Sequence, residues 1–596
     1  MQTIQSNDTA YSNNIVTGLL ANFSYNAGKF GKLSFKNQLN INTEDKVVIR
    51  SGIRDFSQDI QTLEKGSLRS FTENKLYSGQ LSGEHFIGKN NIRIKWMGSY
   101  SNINRSIPNL RRMIYTKAHD INQNDRGADD DYMAAIAPSG TSPSMGGNMF
   151  FSQNNEKTYN ARTDISKSLK ILSKLSEFKA GYYYQQRHRV FSSRQFGFSR
   201  YNKGNRIVFD KDLLSLPENQ IFNPENLGEI SPYIPAEGGN PAVKGVGGFK
   251  LEEVTKLNDS YVANAYLNAG YLMSDNRLGK KFRVIWGMRM ENYRQTLESF
   301  EDDGDTVSLN NTVLDILPSV NAIYALNDKS NIRLSFAQTV SRPEFRELAP
   351  FGFFDYTTLY SVRGNPDLKR ATVKNFDIRY ETYPTGGQVV SVSLFYKNFT
   401  DAIEQVNRAD VPRELCYQNV AHVMNAGIEL EYRLNLATVL NNSDKDFLNQ
   451  TTVFSNVAFI KSEVDTREIQ GAISNSRPLQ GQSPYVLNAG VQYYDRDKGW
   501  GTSLVFNQTG RRIAIVGNLQ EPDTWENPSP ILDFQLSKSL GRFDIKINFK
   551  DLLASKSIFY QDLNNNKKFD RDSDNLMAET SYGRSVSIGI NYKINK

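Results

Sequence analysis

The chain has 596 residues, a net charge of +7 and a hydrophobic content of 39%. Its single cysteine, Cys416, excludes an intramolecular disulfide and a thiolate zinc cluster, and the four histidines are scattered without ligand spacing. The modest charge is spread along the chain, so nucleic acid is not an expected partner. No apolar run approaches the roughly 18 residues that a membrane-spanning helix needs.

Alternating apolar and polar residues predict β-strands along most of the chain, because successive side chains of a strand point to opposite faces. The 30 tyrosines and 34 phenylalanines also suit strands and the aromatic girdles of membrane barrels. In chain order, the clearest alternating runs are 14–27, 31–43, 92–96, 282–291, 332–336, 376–381, 390–397, 428–434 and 585–595.

One face of several runs carries a charged residue at every second position. Such a face suits a water-filled or plugged lumen better than a packed soluble core. We predict that Met288 and Tyr380 face lipid. The residues predicted to face the lumen are Arg289, Glu291, Asp377, Arg379 and Glu381. Simple solvation of a wet wall is the alternative reading of these charges.

The connections between runs alternate between short and long. Short polar turns are predicted near 44–46, 86–89, 275–279, 327–330, 384–387, 496–499 and 540–542. Long connections are predicted near 102–147, 196–250, 341–371, 463–484, 515–529 and 554–580. This plan predicts an all-β fold, a transmembrane antiparallel up-and-down β-barrel of about 20 strands with short periplasmic turns and long extracellular loops. With a periplasmic C-terminus, this strand count puts residue 1 on the periplasmic side too.

An aromatic cluster in the connection 341–371 is the candidate ligand-binding surface, because exposed aromatic clusters mark binding surfaces. Its members are Phe351, Phe353, Phe354, Tyr356, Tyr360 and Arg363. The alternative is a self-packed loop that plugs the mouth of the barrel.

The segment 562–574 has the spacing of a calcium loop. Its candidate ligands at loop positions 1, 3, 5 and 9 are Asp562, Asn564, Asn566 and Asp570. Lys567 stands where the turn glycine belongs and Ser573 where the bidentate glutamate belongs, so a solvated polar loop is favoured over Ca²⁺ binding. The acidic residues 129–131 are also interpreted as a solvated loop. No catalytic motif is present, so no enzyme activity is expected and no cofactor is required.

Three segments together resemble the C-terminal barrel of TonB-dependent outer-membrane receptors. The first is 259–271, followed by Gly-x-Arg-x-Glu at 287–291. The second is 333–345, a strand that runs into Arg-Pro. The third is Gly-Asn-Pro-x-Leu at 364–368, followed by an acidic strand at 375–381 and an aromatic strand at 390–396. Their order and spacing make the resemblance specific, and the alternating pattern extends it over nearly the whole chain.

The resemblance implies a barrel of about 22 strands in the outer membrane of a Gram-negative bacterium. It implies active uptake of a scarce nutrient, such as a siderophore, glycan or peptide, driven by the TonB–ExbB–ExbD motor. The implied partners are outer-membrane lipid and an extracellular small ligand, and a surface lipoprotein lid is a further option. Nothing in the sequence matches the family's plug domain or coupling box. Residues 1–596 are therefore expected to form a barrel domain that is truncated at its N-terminus.

Two other functions remain open from the sequence. One is a passive or secretion pore of similar size, which needs no motor. The other is a soluble β-rich binding protein or adhesin, because large soluble β proteins are also rich in tyrosine.

Overall fold

A computed structural model describes residues 4–26, 28, 31–55, 60–88, 91–120, 132–141, 146–171, 174–237, 240–411, 413–467 and 472–594. In this part of the chain the main sheet has 24 strands, and five of them are loop strands of two to five residues. The other 19 pair antiparallel with their neighbours in chain order. The fold is therefore all-β and up-and-down, and the predicted count of about 20 strands is close to the observed one.

The 19 strands are numbered here in chain order. They are β1 (Ile4–Asn26), β2 (Gly31–Asp55), β3 (Ile60–Ile87), β4 (Ile92–Asp120), β5 (Asn148–Ile171), β6 (Lys174–Arg200), β7 (Ser260–Leu278), β8 (Phe282–Phe300), β9 (Thr306–Ala325), β10 (Ser330–Ser341), β11 (Ala371–Thr382), β12 (Val389–Asn407), β13 (Glu414–Asn435), β14 (Thr451–Asp465), β15 (Tyr485–Asp495), β16 (Trp500–Thr509), β17 (Ile531–Leu540), β18 (Phe543–Lys550) and β19 (Ser585–Tyr592).

The remaining elements are short. The helices are α1 (Phe345–Leu348), α2 (Leu436–Val439), α3 (Asp446–Gln450) and the 3-10 turns Lys211–Ser215, Pro224–Asn226 and Leu257–Asp259. The short strands are Met133–Ala134, Ile207–Phe209, Glu229–Ser231, Gly245–Gly247, Phe249–Glu253, Gly352–Asp355, Tyr360–Arg363, Ser476–Arg477, Arg512–Ile515, Thr524–Glu526, Lys556–Gln561 and Asn575–Ser581. No helix in the described ranges is long and apolar enough to cross a membrane.

The predicted long connections lie at one end of the sheet and the predicted short turns, apart from 44–46, at the other. The short connections 301–305 and 408–413 also lie at the long-loop end, and the longer connection 436–450 lies at the opposite end. The predicted turn at 44–46 is wrong, because β2 runs through it and Asp45 pairs with Asn13 of β1. The connection predicted to begin near residue 102 begins after Asp120, and the one near 196 begins after Arg200. In both places the strand continues beyond the residues in which apolar and polar side chains alternate clearly. The acidic residues 129–131 lie outside the described residues.

Residue 1, which was predicted to lie on the periplasmic side, lies outside the described residues, but the described start of β1 can be placed. Because the strand number is odd, β1 and β19 run in the same direction, so Ile4 lies at the end that carries the long loops. Among the described residues, β1 pairs with β2 alone and β19 pairs with β18 alone. Each outer edge of the sheet therefore carries backbone groups without a strand partner.

The strands at the two ends of the chain differ in length. The strands from β1 to β6 have 23 to 29 residues, whereas those from β15 to β19 have 8 to 11. A tilted strand needs about 9 to 11 residues to span a bilayer. The early strands therefore continue well beyond the membrane, at the long-loop end. There a small cap, built from the three-stranded sheet between residues 207 and 247, covers β4 and β6 through buried Phe198, Phe209 and Phe249.

Candidate ligand-binding site at the long-loop end

The segment 342–370, called the inner loop below, connects β10 with β11. It contains α1 and a hairpin formed by Gly352–Asp355 and Tyr360–Arg363. At its start Arg342 contacts β8 and β9, and at its tip Tyr356 contacts β2. Seven strands separate β2 from β10 in the order of the sheet. The inner loop therefore lies on the concave face and reaches across the mouth.

The start of the inner loop is held by buried charges. One Nη2 atom of Arg342 lies 2.8 Å from Glu291 Oε2 and 2.8 Å from Asp315 Oδ2. The guanidinium also lies 4.4 Å from the centre of the Tyr293 ring. At the other end of the loop, Arg370 Nε lies 2.6 Å from Asp315 Oδ1. Asp315 is only 3% exposed, so its charge depends on these two arginines.

The tip of the inner loop meets the opposite wall. Buried Arg50 of β2 donates from Nε and Nη2 to the carboxylate of Asp8 at 2.8 and 2.7 Å. The same Nη2 donates to the carbonyl oxygen of Tyr356 at 2.8 Å, and the guanidinium lies 4.3 Å from the Tyr356 ring centre. Val48 and Leu68 pack against this ring. Burial raises the pKa of Tyr356 to about 12, so the phenol is neutral at physiological pH.

Close internal contacts fix the shape of the inner loop. Arg346 donates from Nη1 to the Phe351 carbonyl at 2.9 Å and from Nη2 to the Val362 carbonyl at 2.6 Å. Burial lowers the pKa of Arg346. A Cβ atom on Gly364 would lie 2.1 Å from the Ala349 carbonyl oxygen, so only glycine fits there. The glycine of the Gly-Asn-Pro segment therefore allows the backbone at 364 to approach the backbone at 349 closely.

The structure places most of the six predicted ligand-binding residues against other parts of the protein. Phe351, Tyr356 and Tyr360 are buried, and Phe354 lies over the Arg112 guanidinium at 4.9 Å. Arg363 pairs with Glu301 at 2.6 Å and with Asp302. Phe353, at 36%, is the exposed aromatic side chain of the set. These contacts favour a self-packed loop, and ligand binding by the six residues stays a prediction.

The five residues predicted to face the lumen lie on the face that carries the inner loop. On β8, Glu291 contacts Arg342 of the loop, and Arg289 donates to Glu291 at 2.6 Å. The registers carry this face from β8 through β9 and β10 to β11, since directly paired residues point to the same side. Further pairs of charged or polar groups on this face include Arg333–Glu381, Arg379–Glu381, Arg379–Glu431 and Ser335–Asp377.

The opposite face of these strands is apolar and exposed. Met288 is 48% exposed and Tyr380 is 41% exposed. The same face continues through Trp286, Met290, Leu314, Ile316, Leu334, Ile378 and Leu394. A continuous apolar surface of this kind matches hydrocarbon rather than water.

The segment 562–574 is held by its own side chains and by one arginine. Asp562 is buried and accepts from Arg511 Nη1 at 2.7 Å and from the backbone N–H groups of Asn566 and Lys567 at 3.1 and 3.0 Å. Asp574 accepts from the N–H of Asp570 at 2.8 Å. Among the described residues, no group of three or more His, Cys, Asp or Glu is placed to hold a metal ion. The Ca²⁺ prediction for 562–574, which includes asparagines, stays a prediction.

Sequence reasoning missed the arginines that anchor the inner loop. Arg342 precedes Pro343 in the Arg-Pro segment, which offered a usable signal. Nothing marked Arg50, because its contact with Tyr356 joins residues that are 306 positions apart. Asp8 and Asp315 were likewise not singled out among the many carboxylates.

Comparison with known proteins adds a family and a set of similar folds. The family described as TonB dependent receptor-like, beta-barrel matches residues 95–565. No curated protein sequence matches the chain. The ferric yersiniabactin uptake receptor of Yersinia pestis superposes with a TM-score of 0.55 at 11% identity, covering 99% of this chain and 80% of that chain.

Two other solved structures are similar to the same degree. For the ferric-catecholate import receptor of E. coli K12, the TM-score is 0.55 at 11% identity, with 99% of this chain and 81% of that chain covered. For the ferripyoverdine receptor of Pseudomonas aeruginosa, it is 0.55 at 10% identity, with 99% and 71% covered. At these identities the likeness establishes a shared fold.

Proposed function

The chain belongs to the family of TonB-dependent receptor-like β-barrels, and we propose that it is the barrel of an outer-membrane receptor that imports a scarce nutrient with energy from the TonB system. The family consists of transport receptors, and the exposed apolar outer face suits a chain embedded in outer-membrane lipid. A soluble adhesin would leave that face in water, which makes the soluble alternative unfavourable.

The observation that carries the proposal is the inner loop. It crosses the concave face and is tied to both walls through buried charged groups. Arg342 of the loop contacts Glu291 and Asp315 at one wall, and the tip contacts Arg50 at the other. A passive pore works with a permanently open lumen. A mouth obstructed by a tightly held segment instead suits transport in which a bound ligand and an energy source change the structure.

The ligand class is a further part of the proposal. Three structures of similar fold belong, by description, to a ferric yersiniabactin uptake receptor, a ferric-catecholate import receptor and a ferripyoverdine receptor. A ferric siderophore is therefore the first class to test, with glycans and peptides as the other classes. Capture would take place among the long loops. The proposed partners are this small ligand and the TonB–ExbB–ExbD motor, with a surface lipoprotein lid as an optional third.

The test is energised uptake by Gram-negative cells that produce the protein from its whole gene. Radioactive iron is supplied with a panel of siderophores, with and without a protonophore that collapses the proton-motive force. We expect uptake of at least one ferric complex, and we expect the protonophore or loss of TonB to abolish it. Uptake that continues at the same rate without energy would show a passive pore instead.

A further inference from the structure

The concave face of β2 to β5 is richer in cations than in carboxylates. The inner loop identifies this face, because its tip contacts Arg50 of β2 and Arg112 of β4. Alternation and the strand registers place the other side chains on it. In the half nearer the short turns (31–43, 75–87, 92–104 and 159–171), the carboxylates on this face are Glu84 and Asp164. The cations there, called the cationic wall below, are Lys32, Lys36, Arg93, Lys95, Arg162 and Lys170.

The opposite side of the concave face is balanced instead. On β8 Arg289 lies 2.6 Å from Glu291, and from β11 Arg379 reaches Glu431 of β13 at 2.7 Å. Each of these arginines has a carboxylate partner. The excess of positive charge therefore belongs to one side of the lumen.

The two carboxylates within the cationic wall are already engaged. Glu84 Oε1 lies 3.4 Å from Arg93 Nε and 3.3 Å from Lys95 Nζ. Asp164 Oδ2 lies 2.6 Å from Arg162 Nε. Because one carboxylate serves two cations, these contacts leave a net positive charge on the wall.

A depression of about 360 Å³ lies in the cationic wall, which is the volume of a small-molecule site. Lys32 lies at its edge, and neither Lys32 nor Lys36 makes an ion pair with a described residue. Besides the two engaged carboxylates, its polar lining consists of Lys32, Lys95, Arg162, Ser34 and Ser82. Ammonium, guanidinium and hydroxyl donors suit the oxygens of carboxylate, phosphate or sulfonate groups.

Further cations continue along β4 to the tip of the inner loop. A bulge between Ile107 and Leu110 adds one residue to β4, so Arg105 and Arg112 both lie on the concave face. Neither arginine makes an ion pair with a described residue. Burial lowers the pKa of Arg112 to about 10. The Phe354 ring of the tip lies 4.9 Å from this guanidinium, so the tip covers the upper end of a row of cations.

We propose that the cationic wall binds a small ligand with two or more anionic groups and leads it from the tip of the inner loop to the depression. A cleft lined by charges of one sign attracts the opposite charge, and charged side chains set the selectivity of a pore. Once the tip moves, such a ligand meets Arg105 and Arg112 first and the depression next. The proposal names a ligand class for the proposed receptor and rests on that function.

The test compares two probes that share one carbon skeleton. Propane-1,2,3-tricarboxylate is a trianion at neutral pH, and its triamide is neutral. Equilibrium dialysis of the radiolabelled probes against the full chain in an uncharged detergent measures binding, at about 20 mM salt so that screening stays weak. We expect the trianion to bind at least about tenfold more tightly than the triamide.

Lys32→Gln/Lys95→Gln removes two cations that line the depression. We expect this double variant to bind the trianion about tenfold more weakly. The matched control is Lys157→Gln/Lys167→Gln, which removes two lysines from the convex face of β5 and should stay within about twofold of the unchanged chain. All four lysines are exposed, so both variants should melt at the temperature of the unchanged chain.

Three results would overturn the inference. The first is equal binding of the trianion and the triamide. The second is an equal loss of trianion binding in the two double variants, which would show an effect of total charge. The third is binding of the trianion to the chain 1–596 but not to the product of the whole gene, which would show that the cationic wall receives an acidic protein segment instead.

The same measurements separate this inference from the proposed function. Trianion binding that depends on Lys32 and Lys95, without energised uptake of any ferric complex by cells, would count against the proposed function alone. Energised uptake without trianion binding would count against this inference alone.

Discussion

At its start the inner loop places Arg342 between two buried carboxylates, whereas at its tip it presents Tyr356 to an arginine that already has a carboxylate partner. If the start moved, Asp315 would lose Arg342 and, with the other end of the loop, Arg370 as well. If the tip moved, Arg50 would keep its two hydrogen bonds to Asp8. At the tip, movement gives up the bonds from Arg50 to the Tyr356 and Thr357 carbonyl oxygens and the packing around the Tyr356 ring, but it leaves no charge unpaired. Breaking a buried ion pair costs more, because an uncompensated charge stays behind. We therefore expect the loop to open at its tip and to stay fixed at its start.

The largest expected effect is that of Arg342→Met. The variant leaves Glu291 and Asp315 without this cation in a buried environment, and we expect the free energy of unfolding to fall by about 3 kcal/mol. Denaturant unfolding in detergent micelles measures the change. The control is Arg294→Met on β8, the strand that carries Glu291. Arg294 is an exposed arginine that donates to Asn310, and we expect its loss to cost less than about 0.5 kcal/mol. Equal effects of the two variants would contradict a fixed start.

Arg50→Met tests the tip. Asp8 is partly exposed and gains hydration when its partner is lost, so the expected cost in unfolding free energy is smaller, about 1 to 2 kcal/mol. The larger consequence is local, because the Tyr356 carbonyl loses its buried donor. We expect the backbone N–H groups of 353–358 to exchange with deuterium about tenfold faster, with little change in 342–348. Uniform acceleration across the inner loop would remove the distinction between its two ends.

The contrast between the two ends also marks the limit of sequence reasoning. The strand that contains Arg289 and Glu291 is predictable, because one face meets lipid and the other meets water and charge. The stretch from Glu44 to Lys46 was predicted to be a turn because it is polar on both faces. This part of β2 extends past the bilayer, where both faces of a strand tolerate polar residues. Alternation then carries no signal, and a water-exposed strand cannot be distinguished from a polar turn.

The two arginines that anchor the inner loop also differ in whether the sequence could predict them. Arg342 lies in an Arg-Pro segment that the sequence marks. Arg50 is one arginine among many, and its contact with Tyr356, 306 positions farther along the chain, exists only after the strands between them have folded into a curved sheet. The aromatic residues near it could be recognised as a cluster, but periodicity does not show whether they face a ligand or the protein itself.

Gly66 of β3 gives a third, smaller test at the tip. A Cβ atom on Gly66 would lie 2.4 Å from the Tyr356 hydroxyl oxygen and 3.1 Å from the Met113 carbonyl. We expect Gly66→Ala to displace the tip and to lower the free energy of unfolding by about 1 kcal/mol. Tyr356→Phe alone should cost less than about 0.5 kcal/mol, because the Tyr356 hydroxyl has no partner among the described residues.

The double variant completes this cycle. Removal of the Tyr356 hydroxyl makes room for the new methyl group, so the cost of Gly66→Ala should fall to less than half in the Tyr356→Phe background. Denaturant unfolding of the four proteins gives the coupling energy. Additive costs would show that Gly66→Ala acts through Met113 or the strand backbone and that Tyr356 does not pack tightly on β3.

The smallest expected effect concerns the segment 562–574. Like the tip of the inner loop, this segment depends on a contact between an arginine and an aspartate. In the segment 562–574, Arg511 already neutralises Asp562, and two backbone N–H groups occupy the same carboxylate. A calcium ion would have to displace the guanidinium, since a cation beside the carboxylate opposes a second one. We therefore expect about 1 mM Ca²⁺ to change the melting temperature by less than about 1 °C, and we expect the same of Mg²⁺.

A different result would contradict this expectation. If Ca²⁺ alone raised the melting temperature by about 3 °C or more, and Asp570→Asn abolished the rise, the predicted calcium ligands would act together and the ion would displace Arg511.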